Sequence, residues 1–100
     1  MENFDIKALI DYSKKGILSK SLFKTDKLDS SLFCMAKATE IDNHTSTKQA
    51  IINVIEGDGI FKLGSKSIKM HPNTIIHMKE NTVHALMAKE NTSFILTLIK

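Results

Sequence analysis

The sequence predicts an all-β domain preceded by a short lead-in, because two features recur along most of its 100 residues. The first is a series of short runs rich in β-forming residues, which begins after Gly16. The second is a turn of Gly, Asn, Asp or Ser about every ten residues, the spacing that antiparallel sandwiches and barrels require. The sequence contains no internal repeat, low-complexity segment or linker. We therefore expect a single domain over residues 1–100.

Residues 1–15 are predicted to form the lead-in. The apolar residues between Ile6 and Tyr12 are only weakly periodic, and Asp5 is positioned to cap one helical turn. Gly16 would end such a helix. The pattern is compatible with a brief helix and with an extended segment.

Eight strands are predicted after the lead-in. They cover residues 17–24, 31–38, 49–55, 59–63, 67–70, 74–78, 83–88 and 93–99. Between the third and the fourth, the run Glu56-Gly57-Asp58-Gly59 contains glycines, which tolerate positive φ angles. This run predicts a tight hairpin between residues 51 and 63.

The last predicted strand is apolar on both faces. Its side chains alternate between two sides, with Phe94, Leu96 and Leu98 on one and Ile95, Thr97 and Ile99 on the other. A strand buried on both sides needs a second covering besides the barrel interior. That covering is either a partner chain, which predicts a homodimer, or the N-terminal segment.

Charge and hydropathy argue against two classes of partner. All fourteen basic residues are lysines, which are scattered among eleven acids and give a formal net charge of +3. Nucleic-acid recognition favours arginine and a concentrated basic stripe, so we expect no nucleic-acid partner. No apolar run approaches the ~20 residues of a membrane helix, so we expect no membrane partner.

The cysteine content and the start of the chain indicate the compartment. Cys34 is the single cysteine, so no intrachain disulfide is possible and a reducing setting is expected. The first five residues are acidic and polar, whereas a signal peptide begins basic and continues apolar. We expect a cytoplasmic protein in which Cys34 is a small core residue.

Residues 38–100 resemble the small single-domain cupins. The first cupin motif is Gly, five residues, His-x-His, three or four residues, Glu, six residues and Gly. At this spacing, Ala38 stands at the first Gly, His44-Thr45-Ser46 at His-x-His, Ala50 at Glu and Gly57 at the last Gly. The histidine of the second motif corresponds to His84. The resemblance implies an antiparallel double-stranded β-helix, the jelly-roll barrel of cupins, with a degenerate first motif.

The same resemblance implies where a pocket lies. In metal-binding cupins, the two histidines and the glutamate of the first motif bind one divalent metal together with the histidine of the second. Only His44 and His84 match these positions, since Ser46 replaces one histidine and Ala50 the glutamate. The resemblance therefore implies a pocket centred on His44 and His84, with either one Zn, Ni, Fe or Mn ion or no metal.

Further residues are candidates for the same pocket. A metal site usually has three or four protein ligands, and His77 on the neighbouring strand would be a third if it faced inward. Gln49 and Ser46 would add an amide oxygen and a hydroxyl, which are weak ligands for these metals. The candidate pocket thus comprises His44, Ser46, Gln49, His77 and His84.

Two functions from different classes fit these residues. The first is a binding module in which the barrel holds a small organic molecule. The alternative is a metal-dependent enzyme, an isomerase, decarboxylase or oxygenase, that acts on a small polar metabolite. A dimeric accessory protein with a vestigial pocket is a third reading. The sequence assigns no catalytic residue.

Overall fold

The computed structural model describes residues 3–100, so Met1 and Glu2 of the predicted domain lie outside the described residues. One short helix and nine strands make up these residues. They are α1 Ile6–Leu9, β1 Ile17–Lys24, β2 Leu28–Met35, β3 Glu40–His44, β4 Gln49–Glu56, β5 Gly59–Leu63, β6 Lys66–Met70, β7 Ile75–Met78, β8 His84–Ala88 and β9 Thr92–Ile99. The predicted all-β fold class is confirmed.

The strands form two antiparallel sheets. The larger sheet has the order β1-β2-β9-β4-β7, and the smaller has the order β3-β8-β5-β6. Each sheet turns one face, here called its inner face, toward the other. On β4, for example, Ala50, Ile52 and Val54 are buried on the inner face while the residues between them are half-buried. The core therefore lies between the two sheets.

The outer face of the larger sheet is partly covered by the N-terminal segment. This segment contains the single helical turn α1, in which Asp5 occupies the N-cap position without a side-chain cap bond. Lys20 of β1 donates a hydrogen bond of 2.8 Å from Nζ to the carbonyl of Leu9. Leu32 and Cys34, which point to the outer face of β2, are 0% and 1% exposed. The N-terminal covering predicted as one of two alternatives is thus present over β2.

The remaining part of that outer face is open. Ile75 on β7 is 69% exposed. Asn53 of β4 pairs with both Ile75 and Ile95, so these three side chains lie in one row on the outer face. The predicted homodimer stays a prediction.

The predicted hairpin between residues 51 and 63 is wrong. β4 pairs with β7 and β9, whereas β5 pairs with β6 and β8, so the two strands belong to different sheets. Gly57 has a φ of 119°, and a Cβ there would lie 2.5 Å from Cα of Thr92. The glycine therefore lets the chain cross from one sheet to the other against the start of β9.

Two other features differ from the predicted strand map. The second strand spans Leu28–Met35 rather than residues 31–38, and it ends early because the chain turns there and Ala38 has a φ of 71°. A ninth strand, β3, was not predicted. Within residues 3–100, no helix is long and apolar enough to span a bilayer.

Candidate functional site

A cavity of about 200 Å³ lies between the two sheets. Its wall on the larger sheet consists of Phe33, Ile52, Met78, Phe94, Leu96 and Leu98. The opposite wall consists of Ile41, His44, Phe61, His84 and Leu86, and Ser46 follows β3 in the chain. Nine of these twelve residues are apolar, and none is Lys, Arg, Asp or Glu. The lining therefore combines apolar walls with a few polar groups, a composition typical of small-molecule pockets.

A bulge in β3 brings His44 to this cavity. Ile41 pairs with Leu86 and His44 pairs with His84, so three steps along β3 match two along β8. In a regular strand, residues three apart point to opposite faces. The extra residue restores His44 to the side of Ile41, so both side chains line the cavity.

His84 occupies a buried position at the start of β8. Its side chain is 5% exposed, and its ring is parallel to that of Phe61 within 3°, with centroids 6.0 Å apart. Burial lowers the pKa of His84 below its ordinary value of 6.5, and the nearby His44 lowers it further. A hydrogen bond to the Thr82 backbone opposes both effects. The neutral imidazole is therefore favoured.

The two imidazoles are in contact. Their centroids lie 3.9 Å apart and their planes are inclined by 59°. His44 is exposed and His84 is buried, so the pair extends from the surface to the cavity. Both residues line the cavity, and the centring of a ligand pocket on them stays a prediction.

Ser46 also lines the cavity, but its hydroxyl oxygen and its carbonyl already accept hydrogen bonds within the protein. Its Oγ accepts a 3.2 Å hydrogen bond from the backbone N–H of Lys48. Its carbonyl accepts a 2.7 Å bond from the N–H of Asn81. These bonds fix the loop before β4 and leave the hydroxyl proton of Ser46 free to be donated.

Gln49 and His77 lie apart from the cavity. His77 is exposed on β7, where the neighbouring residues Ile76 and Met78 are buried on the inner face. Its Nε2–H donates a 3.0 Å hydrogen bond to Oε1 of Gln49 on the outer face of the larger sheet. Neither residue is in the cavity lining. The turn before β7 sets a register that turns His77 outward, so the structure does not bring these two predicted residues to the pocket.

The side chains around His44 and His84 offer few ligands for the metal that the cupin resemblance implies. Two histidines are adjacent, but residues 3–100 contain no group of three or more His, Cys, Asp or Glu side chains able to hold an ion. Ala50, at the position of the motif glutamate, has no donor atom and is fully buried in β4. Ser46 is a weak ligand for transition metals. The residues therefore do not fit the three- or four-ligand site of metal-binding cupins.

Several cavity residues were not predicted as part of the site. Phe33, Ile41 and Phe61 carry no chemical motif, and their place in the lining follows from which strands become neighbours. Alternation along β9 does predict that Phe94, Leu96 and Leu98 share a face, and all of them line the cavity. The polar part of the site was thus more predictable than its walls.

Solved structures share this fold over nearly the whole chain. A cupin superfamily protein from Desulfitobacterium hafniense has a TM-score of 0.88 and 16% identity, covering 98% of this chain and 90% of its own. An uncharacterised protein with a double-stranded β-helix domain from Klebsiella pneumoniae has a TM-score of 0.85 and 17% identity, covering 99% and 90%. A cupin 2 conserved barrel domain protein from Leptotrichia buccalis has a TM-score of 0.88 and 23% identity, covering 97% and 47%.

These similarities show the fold. No family model and no curated protein matches the sequence. The chain has the double-stranded β-helix fold of the cupins, as the spacing of its two motifs predicts. The fold alone does not define the function, because one fold supports many activities.

Proposed function

We propose that this protein is a binding module that holds a small, mainly apolar organic molecule in the cavity between its sheets. The observation that carries the proposal is the lining, in which nine apolar side chains accompany only His44, Ser46 and His84 as polar groups. A ligand in such a cavity gains from burial of its apolar surface, and the few polar groups orient it.

The exposure of the residues at the mouth of the cavity supports entry of a ligand from solvent. His44 is exposed while His84 beside it is 5% exposed, so the polar groups lie between bulk water and the apolar walls. Phe61 and Phe94 are 1% and 2% exposed and form the deeper part of the walls. A bound ring would contact these aromatic side chains, while a polar substituent would reach the histidine pair.

Toluene is a suitable first probe because it carries one ring and no polar group. We expect it to shift the NMR signals of residues around the cavity in a saturable way. Leu96→Trp should abolish the shifts by filling the cavity from β9. Met87→Trp is the matched control, since Met87 is 38% exposed and points away from the cavity on β8. Binding that survives Leu96→Trp in a folded protein would show that the site is elsewhere.

A metal-dependent isomerase, decarboxylase or oxygenase is the second candidate. It is favoured by one observation, the contact between two imidazoles whose ring centroids lie 3.9 Å apart. The test is the metal content of protein purified without a histidine tag, incubated with Zn, Ni, Fe or Mn and then desalted. The binding module predicts content well below one ion per chain, and near-stoichiometric metal would favour the enzyme.

We also propose that two copies pair through the open part of the outer face. Gln49 pairs with Ile99, and Ile51 with His77 and Thr97, so these side chains share that face with the row of Ile75, Asn53 and Ile95. None of these residues is Lys, Asp or Glu, although a quarter of the sequence is charged. Two identical copies can therefore meet there without bringing like charges together.

The pairing is tested by the mass of the protein in solution. We expect a dimer in light scattering after size exclusion, and a monomer for Ile75→Lys. Val83→Lys is the control, because Val83 is 48% exposed but lies in the turn before β8. A wild-type protein that remains monomeric at high concentration would overturn the proposal.

A further inference from the structure

The chemical class of the ligand follows from the hydrogen bonds that the histidine pair already makes. Nδ1 of His44 lies 2.8 Å from the carbonyl oxygen of Asp42, and Nδ1 of His84 lies 2.9 Å from that of Thr82. A carbonyl oxygen only accepts, so each Nδ1 must carry the proton and donate it. In a neutral imidazole this leaves Nε2 with a lone pair. Both rings are thus held in the same tautomer.

The two Nε2 atoms remain for a ligand. Within residues 3–100, neither Nε2 has a hydrogen-bond partner in the protein. Among the described residues, Oγ of Ser93 is the only side-chain nitrogen or oxygen that lacks both a hydrogen-bond partner and exposure to solvent. Nε2 of His84 also lacks a partner, so it must be accessible to solvent. Because His84 lines the cavity, that space is where the ligand would lie. When both rings are neutral, the pair therefore offers two acceptors.

The absence of charged side chains from the cavity lining narrows the chemical class of the ligand further. No Lys or Arg lines the cavity to neutralise a carboxylate or phosphate, and no Asp or Glu lines it to neutralise an ammonium group. Burying an unpaired charge in apolar surroundings costs several kcal/mol. Two Nε2 lone pairs would also repel a carboxylate, whereas they would accept a hydrogen bond from a neutral O–H or N–H group.

The volume of the cavity indicates how many rings the ligand contains. A closed apolar cavity of about 150 Å³ holds benzene. At about 200 Å³, this cavity has room for one such ring and a short substituent. Pockets for drug-sized molecules begin at about 300 Å³, so the space between the sheets matches one ring rather than a drug-sized ligand.

We infer that the ligand is an uncharged single-ring molecule whose substituent carries a hydrogen-bond donor, a phenol-type hydroxyl or a ring N–H, held by Nε2 of His44 and His84. This inference rests on the proposed binding function and specifies its ligand class. The ring lies among Phe61, Phe94 and Leu96, and the donor points to the histidine pair at the mouth.

Four probes that share one methyl-substituted ring test the inference. They are toluene, p-cresol, 4-methylanisole and p-toluate, titrated at pH 8 by calorimetry or NMR. One hydrogen bond to the pair should make p-cresol bind about tenfold more tightly than toluene or 4-methylanisole. The p-toluate anion should bind at least about tenfold more weakly than p-cresol, because its charge has no partner.

A double variant, His44→Ala with His84→Ala, isolates the contribution of the pair. It should lose most of the preference for p-cresol over toluene, since only the apolar walls and Ser46 remain. Equal affinity of the wild type for p-cresol and 4-methylanisole would overturn the inference, as would p-toluate binding as tightly as p-cresol. In both cases the proposed binding function would stand. If none of the four probes bound, the proposed function would fail together with the inference.

Discussion

The hydroxyl of Tyr12 donates a hydrogen bond of 2.9 Å to Oε2 of Glu56 and so ties the N-terminal segment to the end of β4. Lys7 reaches the other carboxylate oxygen, with Nζ 2.8 Å from Oε1. The two contacts hold the segment over an outer face that includes the buried residues Leu32 and Cys34. Glu56 is therefore the point at which the lead-in is joined to the larger sheet.

The first prediction concerns the ionisation of Tyr12. Burial, together with the Glu56 carboxylate, raises the pKa of Tyr12 from 10.0 to about 12. Since the chain contains one tyrosine and no tryptophan, an ultraviolet titration of tyrosinate reports this group alone. We expect a midpoint near 12 in the folded protein. A group whose pKa is raised by folding contributes stability below its unfolded pKa, so this contribution should be lost as the pH rises above 10. A midpoint near 10 in folded protein would contradict the packing of Tyr12.

The second prediction compares the two bonds to Glu56. Tyr12→Phe removes a half-buried hydrogen bond to a carboxylate and should lower the free energy of unfolding by about 1–2 kcal/mol. Lys7→Met removes an ion pair whose lysine is 68% exposed, and it should cost less than about 1 kcal/mol. Denaturant unfolding of both variants measures the difference. A larger loss for Lys7→Met would mean that the ion pair, rather than Tyr12, holds the segment.

The site shows which parts of the structure the sequence could predict. The cupin spacing placed His44 and His84 together, and they are direct cross-strand partners. The strand that carries His44 was missed, because Glu40–His44 contains one apolar residue, Ile41, and has no alternation to reveal it. Its bulge is also invisible in the sequence, since a bulge depends on how β3 pairs with β8. The position of His44 beside His84 was thus more predictable than the strand that carries His44.

The orientation of His77, which the sequence left open, and the wrongly predicted β4–β5 hairpin have a common physical cause. Period-two alternation assigns side chains within one strand, but a turn resets the register of the next. His77 follows such a turn and points outward to Gln49. Likewise, the glycines after Glu56 indicate a change of direction without indicating whether the next strand pairs with the last one. Both outcomes depend on pairing between strands that are distant in sequence.

The third prediction tests the crossing at Gly57. Gly57→Ala places a Cβ 2.5 Å from Cα of Thr92 at a φ of 119°, so it should lower the free energy of unfolding by more than about 3 kcal/mol. Gly64→Ala is the matched control, because its φ of 60° is also positive but no atom lies within 4 Å of the added Cβ. Its cost should be about 1–2 kcal/mol. Thermal and denaturant unfolding would measure the loss of stability in both variants. Equal losses would show that the contact with Thr92 does not account for the cost of Gly57→Ala.

The fourth prediction concerns pH and His84. Folding lowers the pKa of this imidazole, mainly through burial, so the unfolded chain binds a proton at a higher pH than the folded protein does. Where the unfolded state holds more protons, stability rises with pH. The contribution of His84 is therefore full above its ordinary pKa of 6.5 and is lost as the pH falls from there through the lower, folded pKa.

Three proteins measured by denaturant unfolding between pH 8 and pH 5 would test this sign. The wild type should lose stability below pH 6.5, and His84→Asn should lose less over the same interval because it has no ring to titrate. His71→Asn is the control for replacing an exposed histidine, since His71 lies in the turn before β7. The comparison uses slopes rather than absolute stabilities, because His84→Asn also removes packing against Phe61. Parallel slopes for the wild type and His84→Asn would mean that folding does not favour the neutral imidazole.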